Sequence, residues 1–158
     1  MPAPRPASLN RARIVEAAIA IADAEGFDAL SMRRVADRLG HAVMSLYRHV
    51  PDKDQLVALA VDAVFGEEPL PANPPAGWRG RIRESAWRQW RCYRRHPWVA
   101  AFVSLDRPHL GPNGLRETEW AFEGLQSLDV TDAERLRVYL AATAFVHGAA
   151  GQLAAEAV

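Results

Sequence analysis

Lysine is almost missing from this chain: Lys53 stands alone against 18 arginines. Cysteine is as scarce, with Cys92 the only one, which excludes an intramolecular disulfide and leaves no reason to expect an oxidising compartment. Long apolar runs are lacking too. No window approaches the roughly 18 uninterrupted apolar residues of a spanning helix. The opening MPAPRPASLN holds three prolines and no apolar stretch, so it reads as neither signal peptide nor anchor, and a cytosolic protein is expected. Net charge is absent as well, with 19 basic against 19 acidic residues overall, and 8 against 7 in residues 1–60. That balance argues against a protein that coats nucleic acid indiscriminately. It does not exclude a DNA reader, which needs only a few well-placed donors. No carboxylate pair shares a face, no glycine-rich loop awaits a phosphate, and no serine or cysteine nucleophile has a positioned base, so neither an enzyme nor a cofactor is expected. Cys92 and His96 are four apart, half of a metal site, but no second pair follows at ligand spacing and no metal is expected.

What is present is helical. Apolar residues recur at spacings of three and four almost throughout, and the expected fold class is all-α. A first helix runs from about Asn10, its cap, to Glu25, with Ile14, Ala17, Ala18 and Ile21 inward and Gly26 as its stop. Ser31 caps a second over Met32–Leu39, with Val35, Ala36 and Leu39 inward, and Gly40 turns the chain into a short third helix, Ala42 to Arg48. Asp52 with Gln55 starts a fourth, whose buried side is Leu56, Leu59, Ala60 and Ala63. The prolines from Pro69 to Pro75 make a stiff connector. Further helices are expected from Trp78 to His96 (Ile82, Ala86, Trp90 and Tyr93 in register), Trp98 to Leu105, from Pro112 (Leu115, Phe122, Leu125), and from Thr131, capped with Glu134, to Val158. The domain reading is a disordered arm over 1–9, a DNA-binding domain over 10–66, a connector over 67–77, and a C-terminal helical domain over 78–158.

Residues 39–56, LGHAVMSLYRHVPDKDQL, carry the chemistry. Two short helices around Leu39–Gly40–His41 fit a helix-turn-helix, in which the first braces and the second enters the major groove. The plain alternative is a helical hairpin in an all-α protein. The outward residues of the third helix (Ala42, Val43, Met44, Ser45, Tyr47, Arg48) are too short or too apolar for an ordinary solvated face, and suit thymine methyls and phosphates. Lys53 and the first amides of the fourth helix lie where a phosphate can be held.

The stretch RARIVEAAIAIADAEGFDALSMRRVADRLG followed by HAVMSLYRHVPDKDQLVALAVD resembles the DNA-binding domain of the TetR family of transcriptional repressors, over roughly residues 11–65. The Leu-Tyr-x-His-Val and x-x-Lys-x-x-Leu elements make the likeness specific. Carried over by position, the resemblance implies phosphate contacts from Ser31 and Arg33 or Arg34. It puts Ala42, Val43 and Met44 over base edges, Ser45, Tyr47 and His49 on the backbone, and Lys53 on a phosphate. It also implies double-stranded palindromic operator DNA and a second copy of the chain as partners, association with the nucleoid when bound, and release by a small-molecule effector. Residues 78–150 resemble the family's C-terminal domain, in the subgroup with an Arg-His-Pro-Trp step (95–98) and a Gly-Pro-Asn step (111–113). Two departures stand out. His41 occupies a turn position where a small apolar residue is usual, and the chain carries at most the first of the two long helices with which the family dimerises.

Candidates to line an effector cavity are Tyr93, His96, His109 and His147, with Trp90, Phe102 and Phe122 from an aromatic-rich second half. The arginines from Arg79 to Arg95 meet only Glu84 nearby in sequence, and read as a solvated helix face. The last helix is apolar on nearly two sides, so a weak dimer or aggregation through it is expected. The competing reading is a helical small-molecule-binding or heteromeric partner protein that kept the fold without binding DNA.

Overall fold

The computed structural model describes residues 8–103 and 111–156, and every regular element among them is helical. The elements are α1 (Arg11–Glu25), α2 (Met32–Leu39), α3 (Val43–Tyr47), α4 (Lys53–Phe65), α5 (Gly77–Arg95), α6 (Pro112–Leu125) and α7 (Asp132–Glu156). Short 3-10 turns cover Phe27–Ala29 and Pro97–Ala101. The second of these stands where the sequence suggested a helix from Trp98 to Leu105. Leu105, His109, Val158 and most of the N-terminal arm lie outside the described residues.

Local signals set the helix ends. Asn10 accepts from the Arg13 amide at 2.9 Å, Ser31 from the Arg34 amide at 3.1 Å, and Asp52 from the Gln55 amide at 2.7 Å. Both halves of the Thr131–Glu134 box form: the Thr131 amide donates to Glu134 at 2.9 Å, and the Glu134 amide to the Thr131 hydroxyl at 3.3 Å.

The contacts group into two compact units that divide between Ala60 and Val61, within α4. In the first unit α2 packs on α1 and α3 around Ile14, Ile21, Leu30, Val35, Leu46, Val50 and Leu56, all fully buried. Gly40 turns the chain at φ +68°, a left-handed conformation that a side chain would strain, and the His41 amide closes the turn on the Ala36 carbonyl at 3.0 Å. His41 is half-buried. Its Nε2 is enclosed without a hydrogen-bond partner among the described residues, so the ring nitrogen is not turned out to solvent.

In the second unit α5 packs against both α6 and α7. Its inward line departs from the apolar register read in the sequence. Ile82, Ala86 and Trp90 are only half-buried, while Ser85, Arg88 and Gln89 are buried beside Tyr93. The solvated-face reading of the arginines holds for Arg79, Arg83, Arg91, Arg94 and Arg95, which are exposed, and fails for buried Arg88 and half-buried Arg81. Arg88, 5% exposed, pairs with Glu117 at 2.9 Å and Glu68 at 3.3 Å; Arg91 meets Glu68 and Glu84, Arg95 meets Glu67, and Arg81 meets Glu123. Apart from Glu84 on α5 itself, the opposing carboxylates come from the α4–α5 connector and from α6, where one helix's periodicity gives no sign of them. On this geometry Arg88→Met, which strands a buried Glu117, costs about 3–5 kcal/mol, and Arg88→Met with Glu117→Leu recovers most of that loss. Urea unfolding of the two variants checks both outcomes; equal losses would show that the pair is not an isolated charge couple.

Candidate nucleic-acid interface and effector unit

The first unit brings the expected DNA-contacting residues onto α2, α3 and the start of α4. Ala42 is the N-terminal cap of α3, and Leu46 is its buried anchor. On the opposite side Met44 is 73% exposed and Tyr47 42% exposed, with Val43, Ser45 and His49 half-buried. A large apolar side chain on the outside of so short a helix costs solvation unless another surface covers it. Ser31 spends its hydroxyl oxygen as an acceptor on the Arg34 amide, which leaves its O–H free to donate.

The structure also separates the two arginines that the sequence left as alternatives. Both are exposed, but Arg34 donates through Nε and Nη2 to Glu25, at 3.1 and 2.8 Å. Two contributors were missed. Arg11 Nε donates to the His49 carbonyl at 3.3 Å, bracing the chain just after α3. The Lys53 ammonium lies 4.8 Å above the Phe27 ring, so an aromatic face holds the only lysine at the mouth of α4. The partners are 26 and 38 residues apart in sequence, and no local pattern signals them.

In the second unit the expected cavity residues fall into separate groups. Tyr93 packs edge-on to His147, centroids 6.2 Å apart, and His147 Nε2 is 2.8 Å from the Ala100 carbonyl oxygen. His96 Nε2 is 3.1 Å from Glu67, and His96, Trp98 and Phe102 stack edge to edge at 6.4 Å steps. Phe122 lies 5.3 Å from Tyr139. Trp90 lines an apolar cleft of about 340 Å³ with Ala86, Trp87, Phe145, Val146 and Ala149. A smaller cavity of about 30 Å³ is walled by Phe65, Gln89, Cys92, His96 and Glu117, among others. Burial pushes the Cys92 thiol up to about 12, with Glu67 and Glu117 adding to the shift, so it stays protonated and unreactive at neutral pH. Burial likewise raises the Tyr93 phenol. No group of three His, Cys, Asp or Glu among the described residues is arranged to hold a metal.

Two polar clasps tie the end of α4 to the rest of this unit. The Asn113 and Gly114 amides at the start of α6 donate to Asp62 at 2.9 and 3.3 Å, and Asn113 Nδ2 donates to the Asp62 carbonyl at 3.0 Å. Arg88 donates to the Glu68 and Pro69 carbonyls at 2.6 and 2.9 Å, so the proline-rich connector is fastened at its start.

The fold and the exposed α3 define a helix-turn-helix protein with a separate all-helical unit. The chain belongs to the tetR family of bacterial regulatory proteins: that family's model matches residues 14–60, and the tetracyclin repressor-like C-terminal domain matches residues 70–157. The HTH-type transcriptional repressor DrrR1 of Streptomyces coeruleorubidus is 41% identical over 93% of this chain and 54% of its own length. An HTH-type transcriptional regulator of Saccharopolyspora erythraea is 39% identical over 89% of this chain and 59% of its own. The chain thus spans a little over half the length of these relatives. Among solved structures, Streptomyces coelicolor ActR in complex with (S)-DNPA superposes with a TM-score of 0.84 at 35% identity, covering 94% of this chain and 73% of that one. ActR in complex with actinorhodin gives 0.82 at 35% identity, covering 93% and 68%.

The connector clasp sets a pH dependence. Hydrogen bonding from Arg91 holds the Glu68 carboxyl below its ordinary 4.5, against a smaller opposing effect of burial. A depressed carboxyl contributes stability above its unfolded value and loses it as pH falls through the folded one. Melting temperature is therefore expected to drop on acidification from about pH 6 to about pH 3, and Glu68→Gln to flatten part of that drop. Superimposable pH profiles for the two proteins would show that the clasp contributes nothing.

Proposed function

We propose that this chain is the operator-reading and effector-sensing part of a transcriptional repressor that binds palindromic double-stranded DNA as a dimer and lets go when a small molecule binds the second unit. The observation that carries the reading is Met44, exposed on a helix whose inner side is locked by Leu46 and whose flank holds a braced lysine. Val43 and Met44 meet thymine methyls, and Ala42 allows close approach to the base edges. Ser31, Arg33, Ser45, Tyr47, His49 and Lys53 fix the register on the backbone. Arg34 contributes less, because Glu25 already holds it.

ActR, solved with actinorhodin and with (S)-DNPA, supports a small-molecule effector for the second unit. Release is a coupling between two sites. The Asp62–Asn113 clasp makes the end of α4 respond to a shift of α6, and the first part of α4, up to Ala60, belongs to the reading unit.

For DNA, Lys53→Ala is expected to weaken binding to all sequences alike and to lower the salt slope by roughly one unit. Met44→Ala is expected to cost about 1–3 kcal/mol at one symmetric pair of positions while leaving random DNA unaffected. Salt titrations on a selected duplex and a scrambled one check this. If neither variant changes affinity, the footprint is wrong, and a helical binding protein without DNA becomes the better reading.

For assembly, α7 leaves Phe145 78% exposed beside Trp87, itself 53% exposed, in one apolar cleft that suits a second copy of the chain. Sedimentation over a concentration series is expected to show weak dimerisation or aggregation that Phe145→Glu suppresses. A clean monomer at high micromolar concentration would rule the contact out.

A further inference from the structure

The guanidinium of Arg34 is already gripped in the first unit. Its Nε donates to Glu25 Oε2 at 3.1 Å, and its Nη2 donates to Oε1 and Oε2 at 2.9 and 2.8 Å. Arginine takes the non-bridging oxygens of a phosphate with the same fork. The carboxylate therefore occupies the donors that a nucleic-acid backbone would use. Both side chains stay accessible, 53% and 34% exposed, so the pair is open to exchange and not locked in the core. A surface pair of this kind contributes little stability, and folding alone gives it no purpose.

Its position follows the proposed DNA side of α2. Arg34 comes three residues after Ser31, on the same side of the helix, and its amide is bonded to the Ser31 hydroxyl. Arg33, beside it, pairs with no carboxylate among the described residues. A shallow hollow of about 280 Å³ next to Arg34 is edged by Glu25, Asp37 and Arg38, so this flank sets two arginines against two carboxylates. The same balance runs through residues 1–60, with 8 basic against 7 acidic side chains. Nonspecific binding to DNA is carried almost wholly by cation–phosphate contacts. A reading unit that neutralises a usable arginine gives up affinity for every sequence, and the loss is greatest where nothing else holds the duplex.

We propose that Glu25 is a specificity-determining residue: its carboxylate stands in for a DNA phosphate, and Arg34 passes to the backbone only where the duplex is seated in the register that α3 requires. The proposal rests on the reading of this unit as the operator reader, and goes beyond it by giving a role in discrimination to an acidic residue. On a well-seated duplex a phosphate replaces the carboxylate in the fork, and the new contact offsets the lost pair. On a loosely seated one no phosphate is held in line, Arg34 stays with Glu25, and fewer counterions are released.

The test titrates the full chain with a selected duplex and a scrambled one over a salt series. Glu25→Gln keeps the size of the side chain and removes its charge. Glu16→Gln removes the same charge from another exposed position on α1. Arg34→Ala and the Glu25→Gln, Arg34→Ala double variant complete a cycle. Glu25→Gln is expected to bind the scrambled duplex about 3–10-fold more tightly at low salt, with a salt slope steeper by about one unit. On the selected duplex the gain should stay below about 2-fold, so that discrimination narrows. Glu25→Ala, which leaves no side-chain amide to hold the guanidinium, is expected to narrow it in the same way. In the Arg34→Ala background Glu25→Gln should gain no more than Glu16→Gln does. An equal gain on both duplexes overturns the proposal, because Glu25 then sets affinity and not discrimination. A gain matched by Glu16→Gln, or one that survives in the Arg34→Ala background, overturns it as loss of charge alone. If the wild-type chain and Glu25→Gln separate the two duplexes equally well, the repressor reading stands and this role for Glu25 falls. If the wild-type chain binds neither duplex, the repressor reading falls and takes this role with it.

Discussion

Arg88 sits inside the second unit with its guanidinium donors shared between α6 and the connector. Glu117 of α6 takes Nε and Nη2 at 2.9–3.1 Å, the Glu68 carbonyl also accepts from Nη2, and the Pro69 carbonyl accepts from Nη1. A lone buried guanidinium would be prohibitively costly, so the connector and α6 have to arrive together for α5 to be buried at all. The remaining geometry follows from that requirement. The connector's carboxylates come into reach of Arg91, Arg95 and His96, and α6 is set with its first turn against Asp62.

This polar interior differs in kind from the one in the first unit, where Ile14, Ile21, Leu30, Val35, Leu46 and Val50 close an apolar core. An apolar core with a glycine-turned corner holds α3 in one orientation. Along α5 the second unit instead buries paired charges and polar side chains, Arg88 with Glu117 beside Ser85 and Gln89. The two units thus differ in what they bury.

The first unit was largely legible because its signals are local. Caps at Asn10, Ser31 and Asp52 lie within three residues of the amides they satisfy, and the inward stripe of α1 repeats at helical spacing. What escaped was non-local: Phe27 beneath Lys53, Arg11 on the His49 carbonyl, and Glu25 on Arg34. In the second unit periodicity located the helices but chose the wrong inward line for α5. A helix packed on two sides buries whatever faces its neighbours, and a paired arginine can be buried as well as isoleucine.

The sequence by itself determined the all-helical class, the helix ends, the turn at Gly40 and the short outward face from Ala42 to Tyr47, because each depends on residues within a turn or two of one another. Tertiary structure alone decided which arginines are buried, that Arg34 is held by Glu25, and which histidines already have partners. It also decided where hydrogen bonding is left unmet. Those outcomes depend on charges and carbonyls 9 to 47 residues away in the chain, brought into contact only by packing.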